Sequence, residues 1–246
     1  MVTPLARGRL LQMVRAAPAL DAEAVLGPPG GVLAVIPHPD DESLAMGRLL
    51  AAARRAGRPL GVLLVTDGGA SHRSVRLPRE QLARLRLREL REALRHLGGA
   101  DAVAALGHPD GAAPDEPGGA DLRAAELVAG MVGARVVLTC WRRDPHVDHG
   151  AVARMAARLA RRLGLPEPVE APVWGRFTEA APAPGQRLVR LRDGAHGPAK
   201  ARAIAAHRSQ MTPLVPGDPK GFVMDPATQA HFREADELFL MPDAPR

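Results

Sequence analysis

Four times between residues 31 and 162, a short apolar, often β-branched run gives way to a stretch with helical apolar spacing. The runs are 32–36, 60–66, 101–106 and 134–140. The helical stretches run from Glu42 to Gly57, over 78–97, over 120–131 and to about Arg162. Strand and helix in alternation predict an α/β fold, with a mainly parallel sheet covered by helices on both faces. A doubly wound sheet of this kind has a strand order starting 3-2-1-4, counted from the run at 32–36. An amphipathic helix is expected over 5–17, and Pro28, Pro29, Gly30 and Gly31 break the chain before the first run. Beyond Gly164 the pattern loosens. Strands fit 169–177 and 187–192, a helix fits 197–209, and a last strand fits 237–241. We read one domain over 1–246, with an N-terminal helix and linker to residue 30 and an irregular C-terminal part from 165.

Each apolar run ends in a polar cluster. The first is followed by His38, Pro39, Asp40, Asp41 and Glu42, the second by Asp67 to His72, the third by GHPDG at 107–111, and the fourth by WRRDPHVDH at 141–149. In the assumed order the first and fourth strands are neighbours at the point where the sheet reverses direction of winding. His38, Asp40 and Asp41 would then stand beside His146, Asp148 and His149. Two imidazoles and a carboxylate are a common ligand set for a catalytic zinc, which keeps one position for water. Fe2+ or another divalent ion would also fit such donors. Adjacent aspartates diverge, so one of Asp40 and Asp41 can bind metal while the other takes a proton from the water. His146, with Asp148 close by, suits stabilisation or protonation of a tetrahedral intermediate. The chemistry expected is hydrolysis of an acyl bond.

PHPDDE at 37–42 and HVDH at 146–149 resemble the two signature motifs of the LmbE-like (PIG-L) N-acetylglucosaminyl deacetylases. RLRELREALRHLG at 86–98, GHPDG at 107–111 and AHRSQ at 206–210 resemble further segments of that family. The resemblance implies a Rossmann-like three-layer fold and zinc-dependent removal of an acetyl group from an N-acetylated sugar or sugar conjugate. It makes His38, Asp41 and His149 the metal ligands and Asp40 the general base. His146 becomes the acid or electrostatic partner, supported by Asp148. Arg73, Asp110 and His207 become candidate substrate contacts. The chain departs from the family after the second strand, where Thr66, Asp67, Gly68 and Gly69 replace a T-x-G-E pattern. Asp144 and Pro145 occupy the place where some members carry a tyrosine, and this chain has no tyrosine at all.

Other functions are disfavoured by composition. The net charge of +6 comes from arginines spread over helix faces without interleaved aromatics, which argues against nucleic acid. Acids follow the first strand where a dinucleotide fold needs glycines for a pyrophosphate. One cysteine, Cys140, excludes an internal disulfide and reads as a buried strand residue. No stretch approaches the length of a membrane span. A cytoplasmic protein acting on a small molecule is expected. The competing reading is a non-catalytic sugar- or nucleotide-binding relative with the same fold.

Overall fold

The computed structural model describes residues 8–243. In chain order the elements are α1 (Arg9–Met13), β1 (Ala19–Leu20), α2 (Ala22–Leu26), β2 (Gly31–Ile36), α3 (Asp41–Arg55), β3 (Leu60–Thr66), α4 (Arg79–His96), β4 (Ala102–His108), α5 (Gly119–Val132), β5 (Ala134–Cys140), α6 (Val147–Arg162), β6 (Val169–Ala171), β7 (Gln186–Leu191), α7 (Gly197–Ala206), α8 (Arg208–Met211), α9 (Pro226–Glu234) and β8 (Leu238–Pro242). These strands form one sheet of order β1-β7-β8-β6-β5-β2-β3-β4.

The central strands β2 and β3 are buried at every position, which is why their sequences are continuously apolar rather than alternating. Their side chains still divide by parity. Val32, Ala34 and Ile36 join the core beneath α3, α4 and α7, whereas Leu33 and Val35 join the core beneath α5 and α6. Full burial of each Val, Leu or Ile contributes about 1.5–3 kcal/mol. Gly61 in β3 lets α5 approach closely, since a Cβ there would lie 2.6 Å from Val128 Cγ1.

β2 pairs in parallel with β3 and with β5, and β3 pairs in parallel with β4. The adjacency of 31–36 and 134–140 required for the site is therefore present. The sheet as a whole departs from expectation. It is mixed, because β8 runs antiparallel to both β6 and β7. Its order differs because two-residue β1 takes the far edge, and β7 and β8 extend the sheet beyond β6. The strand–helix alternation that predicts parallel pairing ends with α6, and β8 enters straight from α9.

Three local expectations change. The strand expected at 169–177 stops at Ala171, because Pro172 offers no N–H to a ladder. A 3-10 turn over Trp174–Phe177 follows. The helix expected over 197–209 divides at His207, whose ψ of 56° is not helical. Of the helix expected over 5–17, only Arg9–Met13 is helical, and residues 5–7 lie outside the described residues.

Candidate active site

The site forms where β2 and β5 end. β2 runs into Pro37, and the chain then turns sharply enough to place Asp40 at φ 140°, the only non-glycine with positive φ among the described residues. A non-glycine there stores roughly 1–3 kcal/mol of strain and persists only when its surroundings enforce it. Glu42 Oε2 accepts the Asp40 N–H at 3.1 Å. Ser43 and Leu44 donate backbone N–H groups to Asp40 O at 3.0 and 2.9 Å. Arg86, from α4, donates to Pro39 O at 2.8 Å and to Gly68 O at 2.7 Å. Gly68, at φ 62°, leaves room for that guanidinium; a Cβ would come within 2.9 Å of it. The turn starts α3 and separates the side chains of Asp40 and Asp41.

Asp41 is shared between two imidazoles. Its Oδ2 lies 3.3 Å from His38 Nδ1 and its Oδ1 lies 3.4 Å from His149 Nε2. The outer nitrogen of each ring faces another carboxylate. His38 Nε2 meets Asp148 Oδ2 at 2.9 Å, and His149 Nδ1 stands 3.4 Å from Asp144 Oδ1. This buried Nδ1 makes no hydrogen bond of good geometry to any neighbour. Ligand atoms at about 2.0–2.1 Å from a tetrahedral zinc stand roughly 3.3–3.5 Å apart. Donor pairs at these spacings, with carboxylates orienting the far nitrogens, fit a divalent ion. Among the described residues, three groups bring ligand atoms within 4.8 Å of one another: His38, His146 and His149; Asp41, Cys140 and His149; and His38, Asp110 and Asp148. None of these groups holds His38, Asp41 and His149 together, and the two imidazoles approach different oxygens of Asp41.

The protonation pattern points the same way. Burial would depress His38, but Asp110, Asp148 and Asp41 hold its pKa well above the ordinary value. Burial likewise opposes a charge on His149, yet Asp41 and Asp144 raise it. Burial would raise Asp41, but His149 and His38 hold it well below the usual range. The cluster therefore draws positive charge to the two ligand candidates. Burial pushes the Cys140 thiol well up, so it stays protonated.

A cleft of about 370 Å³ opens over this cluster. Asp40, Asp41, His38, His149, His146, Arg86 and Asp110 form its polar side, and Leu44, Trp174 and Phe222 form an apolar wall. Burial, above all, and then Asp41 raise Asp40 to a pKa of about 6, against the pull of Arg86 at 3.3 Å. His146 is lowered by burial and by the charges of His38 and His149. Its Nδ1 accepts the Asp148 N–H at 3.2 Å, so the neutral ring carries its proton on Nε2.

The structure brings together His38, Asp40, Asp41, Asp110, His146, Asp148 and His149. Asp148 acts differently from expectation: its carboxylate goes to His38 and to the N–H groups of Gly111 and Ala113, and only its backbone holds His146. Asp110 is both cleft wall and brace, accepting the Ala70 N–H at 2.9 Å. His207 is not at the cleft. It is fully buried and bonds Glu42 Oε1 at 2.8 Å, because the first turn of α3 covers it. Arg73 is exposed outside the lining, and its N–H donates to Asp218. Gln210, three residues beyond His207, reaches the cleft instead and donates to Ser71 Oγ.

Sequence reading missed Arg86, Asp144, Trp174 and Phe222. Arg86 had a signal: with Leu82, Leu90 and Ala93 it lies on the buried stripe of α4, an odd place for a cation without a function. Asp144 had none of its own. It works through geometry, its Oδ2 also binding the N–H groups of Val173 and Gly175 and thereby fixing the turn that presents Trp174.

Fold and site define an α/β protein whose His/Asp cluster sits at the carboxyl ends of adjacent parallel strands. The chain belongs to the PIG-L (LmbE-like) family, whose model, described as GlcNAc-PI de-N-acetylase, matches residues 33–160. Among solved structures it is similar to the conserved protein TT1542 of Thermus thermophilus, at 30% identity and a TM-score of 0.56, covering 74% of this chain and 80% of that one. The N,N'-diacetylchitobiose deacetylase of Pyrococcus horikoshii is similar at 20% identity and a TM-score of 0.59, covering 80% and 76%. The A40926 pseudoaglycone deacetylase Dbv21 is similar at 23% identity and a TM-score of 0.58, covering 89% and 100%. No curated protein matches the chain at a significant level.

Proposed function

We propose that this chain is a metal-dependent hydrolase that removes an acetyl group from an N-acetylated amino sugar or sugar conjugate. The observation that carries the reading is Asp41 shared by His38 and His149, with Asp40 beside it facing the same cleft. Family membership and the deacetylases among its structural relatives support it.

His38, Asp41 and His149 would hold the ion, with Asp148 and Asp144 fixing the two imidazoles. Zinc bound there would lower the pKa of a coordinated water towards ~7 and polarise the amide carbonyl. Asp40 takes the water's proton on its carboxylate and passes it to the departing amine. A buried carboxyl with a pKa of about 6 is poised for both steps near neutral pH. His146 donates its Nε2 proton as a hydrogen bond to the oxyanion of the tetrahedral intermediate. Trp174 and Phe222 offer aromatic surface to the C–H groups of a sugar ring, while Ser71, Gln210 and Arg86 offer partners to hydroxyls.

The test combines metal analysis with acetate release from a panel of N-acetyl sugar conjugates. About one zinc or other divalent ion per chain is expected. Asp40→Asn should cut acetate release by about 10²–10⁴-fold while retaining the metal. A purified protein that holds no metal and takes up none would overturn the reading.

A further inference from the structure

α3 is not one helix. Met46, at φ −139° and ψ 17°, interrupts it one turn after Asp41. In a regular helix Arg48 N–H would donate to Leu44 O and Leu49 N–H to Ala45 O. Here Arg48 and Leu49 donate to the two oxygens of Glu237, at 2.7 and 3.0 Å. Leu44 O accepts from Lys200 Nζ at 2.8 Å, and Lys200 Nζ lies 2.7 Å from Glu237 Oε1. Glu237 thus caps the start of the second segment, and Lys200 caps the end of the first.

Both residues are sealed from solvent, at 1% exposure for Lys200 and 0% for Glu237. They come from α7 and from the residue before β8, outside the family-matched 33–160. Lys200 is one of only two lysines among 33 lysines and arginines. Its linear stem passes beside Gly47, where an added Cβ would stand 3.1 Å from Lys200 Cγ. The start of the first segment is held by Glu42, which bonds Asp40 N–H and His207, and by burial of Leu44, Ala45 and Met46; its end at the break is held by Lys200. Leu44 N–H bonds Asp40 O, so one residue links the Lys200 ammonium to the strained turn that aims Asp40 and Asp41.

We propose that Lys200 and Glu237 are positioning residues of the active site: their ion pair fills the break in α3 and fixes the direction of the turn carrying Asp40 and Asp41. The inference rests on the metal-site reading above. It also accounts for a buried ion pair in a place where apolar residues of similar volume would often be as stable. A pair that replaces two ladder bonds holds an angle that apolar packing could not specify.

The experiment measures zinc affinity of the full chain by competition with a chromophoric chelator, for wild type, Lys200→Met and Glu237→Gln. Phe232→Leu serves as a stability control, because Phe232 is fully buried against Arg176, Trp174 and Phe177, and its apolar ring makes no hydrogen bond to the break or to a metal donor. We expect zinc affinity to fall about tenfold in each splint variant, the scale of losses when a group orienting a ligand is removed. Phe232→Leu should lower thermal stability and leave zinc affinity within about twofold of wild type, since it orients no ligand. If Lys200→Met does not fold, Glu237→Gln, which keeps shape and an acceptor, carries the comparison. Wild type that binds zinc alongside splint variants of equal affinity would overturn this inference alone, as would an equal loss in Phe232→Leu. Wild type without zinc affinity would overturn the metal-site reading, and this inference with it.

Discussion

Two buried polar clusters sit a single helical turn apart on α3, and they are built on opposite rules. At its start, five carboxylates, those of Asp40, Asp41, Asp110, Asp144 and Asp148, converge with one guanidinium, Arg86, and three imidazoles. At its break, the Lys200 ammonium meets the Glu237 carboxylate, the buried Arg176 guanidinium acts on both, and backbone groups take up the hydrogen bonds that remain. The first cluster has surplus acid and opens on a cleft. The second has no surplus acid and is sealed. Surplus buried acid is tolerable only where a cation or proton completes it, so it marks the place that binds. Acid already matched by cations of the chain marks the place that holds.

The largest effect that sharpens this contrast is on turnover. Asp40→Asn should reduce kcat by about 10²–10⁴-fold, the usual contribution of a general base, with the melting temperature unchanged. Steady-state kinetics with parallel thermal melts checks it, and a large loss of stability would blur the distinction. Next comes Glu237→Leu, which strands the Lys200 ammonium and two backbone N–H groups. It should cost about 3–5 kcal/mol in urea unfolding, and a change below about 1 kcal/mol would show that the sealed pair holds little. Asp144→Asn weakens the orientation of His149 and should reduce zinc affinity about 10–100-fold by chelator competition. Unchanged affinity would remove Asp144 from the binding cluster.

The smallest effect is a pH dependence. Burial holds Lys200 down at a pKa of about 8, against the pull of Glu237, compared with 10.5 for an ordinary lysine. Between those values the unfolded chain binds a proton that the folded chain has released. This group therefore makes stability rise with pH from about 8 to 10.5. Relative to Lys200→Met, wild type should gain up to about 2 kcal/mol between about pH 8 and 9.5 in urea unfolding. A flat difference across that range would mean that Glu237 keeps the ammonium charged.

What was legible in the sequence follows from how far each signal reaches. Continuous apolar runs declared β2 and β3, and the motifs at the ends of β2 and β5 put forward His38, Asp41 and His149, which the fold brings together. β8 was visible as a strand but not as an antiparallel one, since direction depends on where α9 delivers it. Asp148 beside His146 in sequence suggested a pair, yet a helix start sends its carboxylate across to His38. His207 read as a cleft residue because its segment does reach the cleft, but through Gln210. Lys200 and Glu237 were silent because nothing in their neighbourhoods records a break in a helix so much earlier in the chain.

The backbone of Asp40 carries one more consequence. Its φ of 140° belongs to glycine, and its carboxylate is kept from water beside a second acid. A glycine there would relieve roughly 1–3 kcal/mol of strain, less about 0.5–1 kcal/mol of extra chain freedom in the unfolded state. Selection of this protein for heat resistance alone would thus favour discarding the residue proposed here as its general base. A thermostabilised variant library should be screened for chemistry at every round, because the most inviting position for improvement is a wall of the cleft.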